Sequence, residues 1–114
     1  MKDNLIPLPD ILKEIEFLHS VRDRSDVDGF KANPSDVRAC SYSIMVISEA
    51  VRRIPPPWLA DYPDTPWHAL RSIGNKLRHE YQGVSSTILW GIVNRHAGEL
   101  KTAVEAILAK HEAE

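Results

Sequence analysis

Apolar residues recur at three- and four-residue intervals along most of the chain, the spacing that builds one buried face on an α-helix. Residues 8–24 carry Leu8, Ile11, Leu12, Ile15, Leu18 and Val21 in this pattern, with Pro9 in a tolerated first-turn position, and predict an amphipathic helix. Residues 25–32 hold Asp26, Asp28 and Gly29 and read as a loop pinned to the core by Phe30. A second helix follows over 37–54. Asn33 is placed to accept backbone N–H groups at its start, Pro34 suits the first helical position, and Asp36 favours the positive end of the dipole. Ala39, Tyr42, Ile44, Met45, Val46, Ile47 and Ala50 make this helix apolar over more than half its circumference, so it is expected at the centre of the fold or shared with a second subunit. Pro55-Pro56-Pro57 stops it.

Residues 58–64 form a linker of at most one short turn, with Trp58, Leu59 and Tyr62 against the core. Thr65-Pro66 repeats the cap-plus-proline start and launches a helix over 66–81, which Gly83 ends. Ser85 or Ser86 can cap a further element containing Ile88, Leu89, Ile92 and Val93, and a last helix over 97–110 carries Leu100, Val104, Ile107 and Leu108 on one face. Residues 109–114 are expected to fray. No stretch alternates polar with apolar, so no sheet is expected. The pattern predicts an all-α fold, an up-and-down bundle of four to five helices, with residues 1–114 forming one domain.

Composition narrows the picture. A chain of 114 residues that is 43% hydrophobic can build a core without disulfide or metal staples. Its net charge of −2 gives no overall attraction to nucleic acid or anionic membrane, so any nucleic-acid contact must be local. The single Cys40 excludes an intramolecular disulfide and lies in an apolar-patterned segment, where a buried, inert thiol in a reducing compartment is expected. No apolar run approaches the roughly 20 residues of a membrane span, and Met1-Lys2-Asp3-Asn4-Leu5 lacks a signal-peptide core. The expected location is the cytoplasm.

Candidate chemistry is concentrated in residues 71–81. On a helix, Leu70, Ile73 and Leu77 form one apolar stripe, while Ser72, Asn75 and His79 line a face pointing away from it, bordered by Arg71, Arg78 and Gln82. The plain reading is a solvated face with a chance histidine. Against it stands the choice of an amide, an imidazole and two guanidiniums where an amphipathic helix ordinarily puts Lys and Glu.

Other chemistries find no support. The five histidines, at 19, 68, 79, 96 and 111, show no metal-ligand spacing, so no metal site or cofactor is expected. The five glycines form no phosphate loop. Ser72 and His79 would share one helix without an oxyanion hole. Cleavage of RNA by its own 2′-hydroxyl needs a proton acceptor, a proton donor and cations for the charge on the phosphorane. His79 has the side chain that titrates near neutrality, about 6.5 when unperturbed. Arg71 and Arg78 can clamp phosphate oxygens, and Asn75, one turn before His79, can orient the imidazole or a phosphate oxygen. One chain supplies one such histidine, so two copies facing each other across a cleft, a symmetric homodimer, most simply provide both acid and base.

Gly74-Asn75-Lys76-Leu77-Arg78-His79-Glu80-Tyr81, preceded by Tyr62-Pro63-Asp64-Thr65-Pro66-Trp67, resembles the HepT-like toxins of the HEPN ribonuclease superfamily. The likeness extends to Ile47-Ser48-Glu49-Ala50 and Ile88-Leu89-Trp90, and so covers nearly the whole chain. The resemblance implies an all-α homodimer with paired motifs in a cleft and metal-independent RNA endonuclease activity. It also implies the toxin role in a type II/VII-like toxin-antitoxin pair, whose nucleotidyltransferase antitoxin can attach AMP to the motif tyrosine, here Tyr81.

One position departs from the family pattern. The motif arginine usually stands just before the asparagine, and here that position is Gly74. Arg71 is the preferred substitute, lying about 80° around an ideal helix from His79, with Arg78 at about 100° on the same side. Gly74 costs roughly 1 kcal/mol of helix propensity relative to Ala, and admits close approach of backbone from a partner helix or RNA. A non-catalytic module that binds a nucleotidyltransferase partner or nucleotide stays open as the alternative. Glu49, a carboxylate on an apolar helix, is expected to be buried and to bond the motif helix through Asn75 or an arginine, as a structural ion pair or within the active site. Trp67 and Trp90 are expected in the core or in dimer contacts. Arg52 and Arg53 sit at the end of the second helix, where they meet its dipole, and are assigned no chemistry.

Overall fold

The computed structural model describes residues 2–113. After a 3-10 turn at Lys2–Leu5, the long helices are α1 (Pro7–Asp23), α3 (Pro34–Arg52) and α5 (Trp67–His79). A fourth long segment runs through α6 (Ser86–Gly91), a π turn (Ile92–His96) and α7 (Ala97–Glu112). Two short helices, α2 (Val27–Lys31) and α4 (Pro56–Leu59), lie in the connections. No strand occurs among the described residues, and the fold is all-α as the periodicity predicts. α3 is central, packing against both α1 and α5, and α1 packs in turn on α7.

The predicted caps explain several boundaries. Asn33 Oδ1 accepts from the Asp36 backbone N–H at 3.1 Å, with Pro34 opening α3. Ser85 Oγ accepts from the Ile88 N–H at 3.2 Å to start α6. The expected loop over 25–32 instead contains α2, because the Asp26 carboxylate accepts the Gly29 N–H at 2.8 Å and nucleates a turn. Phe30 is fully buried there, its ring 5.3 Å from that of Trp90, a tilted pair of the kind worth about 0.5–1.5 kcal/mol beyond simple burial. Cys40 is buried, and loss of hydration pushes its thiol up to about 12, so it stays protonated and inert.

Three boundaries differ from expectation. Helix α5 begins at Trp67 without a side-chain cap and ends at His79, with Tyr81–Gly83 forming a separate 3-10 turn. The two elements expected after Ser85 are one helical run joined by the π turn. The chain end does not fray through residue 113. The His111 ring stacks on Trp58, centroids 3.7 Å apart, and Lys110 Nζ donates to Asp61 at 2.8 Å, holding that carboxyl below its usual pKa. Glu114 lies outside the described residues.

Candidate functional site

Helix α5 presses onto α3 through small residues. Trp67, Leu70, Gly74 and Leu77 are its buried positions, a stripe rotated slightly from the predicted one, with Ile73 only half-buried at its edge. The rotation follows from Gly74, which faces Ser48 of α3 so closely that a Cβ there would overlap the serine Oγ and Cβ. The close approach expected at Gly74 is therefore taken up by α3 of the same chain. Ser48 Oγ also donates to the Arg71 carbonyl at 3.2 Å, tying the two helices at this crossing.

A charged cluster sits on the solvent side of that crossing. Arg78 pairs with the Glu49 carboxylate through Nη1, and its Nη2 lies 3.5 Å from Asn75 Oδ1. Glu49 does bond the motif helix through an arginine as expected, but its side chain is 50% exposed, so the anticipated burial is wrong. The apolar residues of α3 turn toward α1 and α5 and leave Glu49 at the rim. Asn75 engages Arg78 and not His79.

Arg52 also joins this cluster. Its Nη2 donates to the Arg71 carbonyl at 3.3 Å and its Nε lies 3.9 Å from Glu49 Oε1. The same carbonyl accepts from Ser48, so the Arg52 guanidinium reaches the α3–α5 crossing itself. Nothing in the sequence distinguishes Arg52 from Arg53, because only the angle between α3 and α5 separates them. Arg53 reaches the other way, to Asp10 of α1 at 3.8 Å.

The remaining predicted residues lie around this cluster. His79 is exposed at the last position of α5 and one turn beyond Asn75, making no side-chain hydrogen bond among the described residues. Arg71 contributes its carbonyl to the crossing, while its half-buried guanidinium pairs with none of Glu49, Asn75 or His79. Ser72 lies 3.5 Å from His68 Nε2, away from His79. Tyr81 is 41% exposed on the 3-10 turn that follows α5. Trp67 is buried with its Nε1 donating to the Tyr62 carbonyl at 3.1 Å, and Trp90 packs on Phe30, so both serve the core. Among the described residues no three His, Cys, Asp or Glu side chains are grouped as a metal site needs, and no helix is long and apolar enough to cross a membrane.

Two surfaces flank the motif. Tyr42, Met45, Val46, Glu49, Arg53 and Arg78 line a shallow depression of about 470 Å³, where Tyr42 is 65% exposed. An apolar groove, also about 470 Å³, lies on the far side of α5 between Leu70, Ile73 and the exposed Ile88.

The model of the family described as Ribonuclease HepT-like matches residues 11–107. The chain is 33% identical over 103 residues to a Caldanaerobacter subterraneus subsp. tengcongensis protein provisionally named RNase TTE0752, covering 90% of this chain and 92% of the relative. It is 31% identical over 107 residues to the Methanocaldococcus jannaschii protein provisionally named RNase MJ0127, covering 93% and 88%. With the probable ribonuclease HepT of Thermococcus cleftensis it shares 27% identity over 100 residues, covering 88% and 91%. No solved structure matches the chain significantly. The helical fold, the match across nearly its whole length and these relatives together make the chain a member of the HepT-like ribonuclease family of the HEPN superfamily.

Proposed function

We propose that this ribonuclease is a metal-independent RNA endonuclease that acts as a homodimer in the cytoplasm. His79 serves as general acid or base, Arg71 and Arg78 stabilise phosphate charge, and Asn75 holds Arg78 in place. The observation that carries this reading is the cluster at the α3–α5 crossing, where Arg78 and Asn75 lie together beside the exposed His79 and Arg52 arrives from the neighbouring helix. Two guanidiniums, those of Arg52 and Arg78, near the one Glu49 carboxylate leave the patch cationic in a chain whose net charge is −2. That is the local positive field that phosphate binding needs.

The chemistry and the surface beside it support the proposed dimer. One imidazole per chain supplies a single proton-transfer group, and the Tyr42, Met45 and Val46 side chains offer an apolar patch next to Arg78 and Glu49. Apposing two such patches across a two-fold axis brings two copies of the motif into one cleft. The proposed partner in the cell is a nucleotidyltransferase antitoxin that silences this toxin by adding AMP to Tyr81. The exposure of the Tyr81 phenol, two residues beyond His79, supports that role.

A second reading is a catalytically inactive module that binds the nucleotidyltransferase. It is favoured by the Gly74 crossing, which has no room for an arginine, and by the Arg71 guanidinium, which pairs with no other site residue. The deciding experiment incubates purified protein with cellular RNA in excess EDTA, beside His79→Ala. Cleavage lost in the variant supports the endonuclease. No cleavage by protein whose intact mass shows Tyr81 unmodified supports the binding module.

A further inference from the structure

A cavity of about 380 Å³ opens beyond the end of α5, where α2, α3, the 3-10 turn and α6 meet. Lys31, Arg38 and Tyr81 line it, with Pro34, Val37 and Leu89 as its apolar wall. No acidic side chain is among its lining residues. Lys31 and Arg38 are both exposed, and neither forms an ion pair among the described residues. Asp28, three residues before Lys31, forms no ion pair with it, and Asp36, the carboxylate nearest Arg38 in sequence, is held by both terminal guanidinium nitrogens of Arg24 at 3.0 Å and by Asn33 at 3.2 Å.

Two cations without counter-charges around a concavity, in a chain of net charge −2, favour an anionic occupant. The apolar wall and the Tyr81 ring favour one with a flat, weakly polar part. A nucleotide has both, and the volume falls in the range of about 300–1,000 Å³ typical of ligand sites. Position adds a further constraint. Tyr81 follows His79 by two residues, so their Cα atoms are within about 7 Å of each other.

We infer that this cavity is a nucleotide subsite for RNA, taking one base against Tyr81 and the apolar wall while Lys31 and Arg38 bind the adjoining phosphates. The inference rests on the RNA-cleavage reading and extends it. The strand lies across the end of α5, with the bond to be cut at His79 and a neighbouring nucleotide in the cavity. Lys31 and Arg38 bind substrate without taking part in proton transfer.

The test measures binding of a fluorescent single-stranded RNA oligomer to full-length His79→Ala protein across a salt series. The native chain is assayed for cleavage in parallel. Replacing Lys31 and Arg38 together by Gln is expected to lower the slope of log affinity against log salt by roughly 1.4, about 0.7 for each phosphate of a single strand that is no longer neutralised. Tyr81→Ala is expected to weaken binding about tenfold, whereas Tyr81→Phe, which keeps the ring, retains it. Arg22→Gln with Lys101→Gln, an equal loss of charge on α1 and α7, is the control. Unchanged thermal midpoints confirm that all variants fold.

If the Lys31/Arg38 pair behaves like the control pair while the parent still binds RNA, the subsite is overturned and the RNA reading survives. If the parent binds no RNA, the subsite falls whatever the native chain does. If the native chain also fails to cleave, the RNA reading falls with it.

Discussion

Ser48 and Gly74 pack against each other where α3 crosses α5, so closely that no side chain fits at position 74. The overlap falls on Ser48 Cβ as well as Oγ, so a rotamer change cannot relieve it and the helices themselves must part. Gly74→Ala raises helix propensity by roughly 1 kcal/mol, but overpacking of this kind typically costs about 1–3 kcal/mol. Net destabilisation is expected, and the Ser48→Gly, Gly74→Ala double variant should recover part of the loss. Urea denaturation of the two single variants and the double variant measures this coupling. Additive losses would mean that the contact does not set the helix spacing.

His79 is exposed and bonded to nothing among the described residues, so His79→Ala should leave the unfolding midpoint unchanged. Loss of a general acid or base typically costs about 10²–10⁴-fold in rate. A fall of that size in RNA cleavage with an unaltered melting curve is the expected result, read by fragment analysis and calorimetry on the same preparation.

In the proposed site Glu49 would oppose RNA electrostatically while its ion pair positions Arg78, and the two effects separate kinetically. In Glu49→Gln the negative charge is gone, so KM for RNA should fall. Arg78 loses its ionic tether, so kcat should fall too. Equal kcat with lower KM would reduce Glu49 to a source of repulsion. Arg52→Gln is expected to raise KM more than Arg53→Gln, because Arg52 reaches the Arg71 carbonyl and Glu49 whereas Arg53 pairs with Asp10 of α1.

His19 provides a pH dependence outside the site. Its Nε2 is buried without a partner among the described residues, and its pKa is lowered first by desolvation and then by Arg22 and Lys101. The folded chain therefore resists protonation that the unfolded chain accepts near 6.5. Its contribution to stability is fully present above that value and is lost as the pH falls toward the lower folded pKa. The unfolding free energy should decline as the pH falls below about 6.5, and His19→Gln should flatten that segment of the profile in denaturant titrations at stepped pH.

The long helices are readable because their signals are local. Asn33-Pro34 before α3 and the Leu8-to-Val21 spacing of α1 require nothing from elsewhere in the chain. The same holds for the set Asn75, Arg78 and His79, which one helix brings together. What the sequence hides depends on contacts between helices. Arg52 looks like an ordinary helix-end cation until α5 is laid against α3, and the same crossing leaves Glu49 at the rim. Helix α2 reads as a loop because Asp26, Asp28 and Gly29 are turn residues, although Asp26 is also a sound N-cap. The tethered C-terminus is hidden too, since its anchors, Asp61 and Trp58, lie about fifty residues earlier in the chain.

The π turn at Ile92–His96 accommodates one residue more than a regular helix would over the same rise. It lets a single rod face two different neighbours. Its first half turns Leu89 and Trp90 toward α2 and α3, and its second half turns Leu100, Val104 and Ile107 toward α1. Deleting one residue from the turn would close it into regular α-helix, because the bulge is what absorbs the extra residue. Trp90 should then stay on Phe30 and Leu89 in the wall beside Tyr81, so the rod can lose the bulge and still carry the surface built on it.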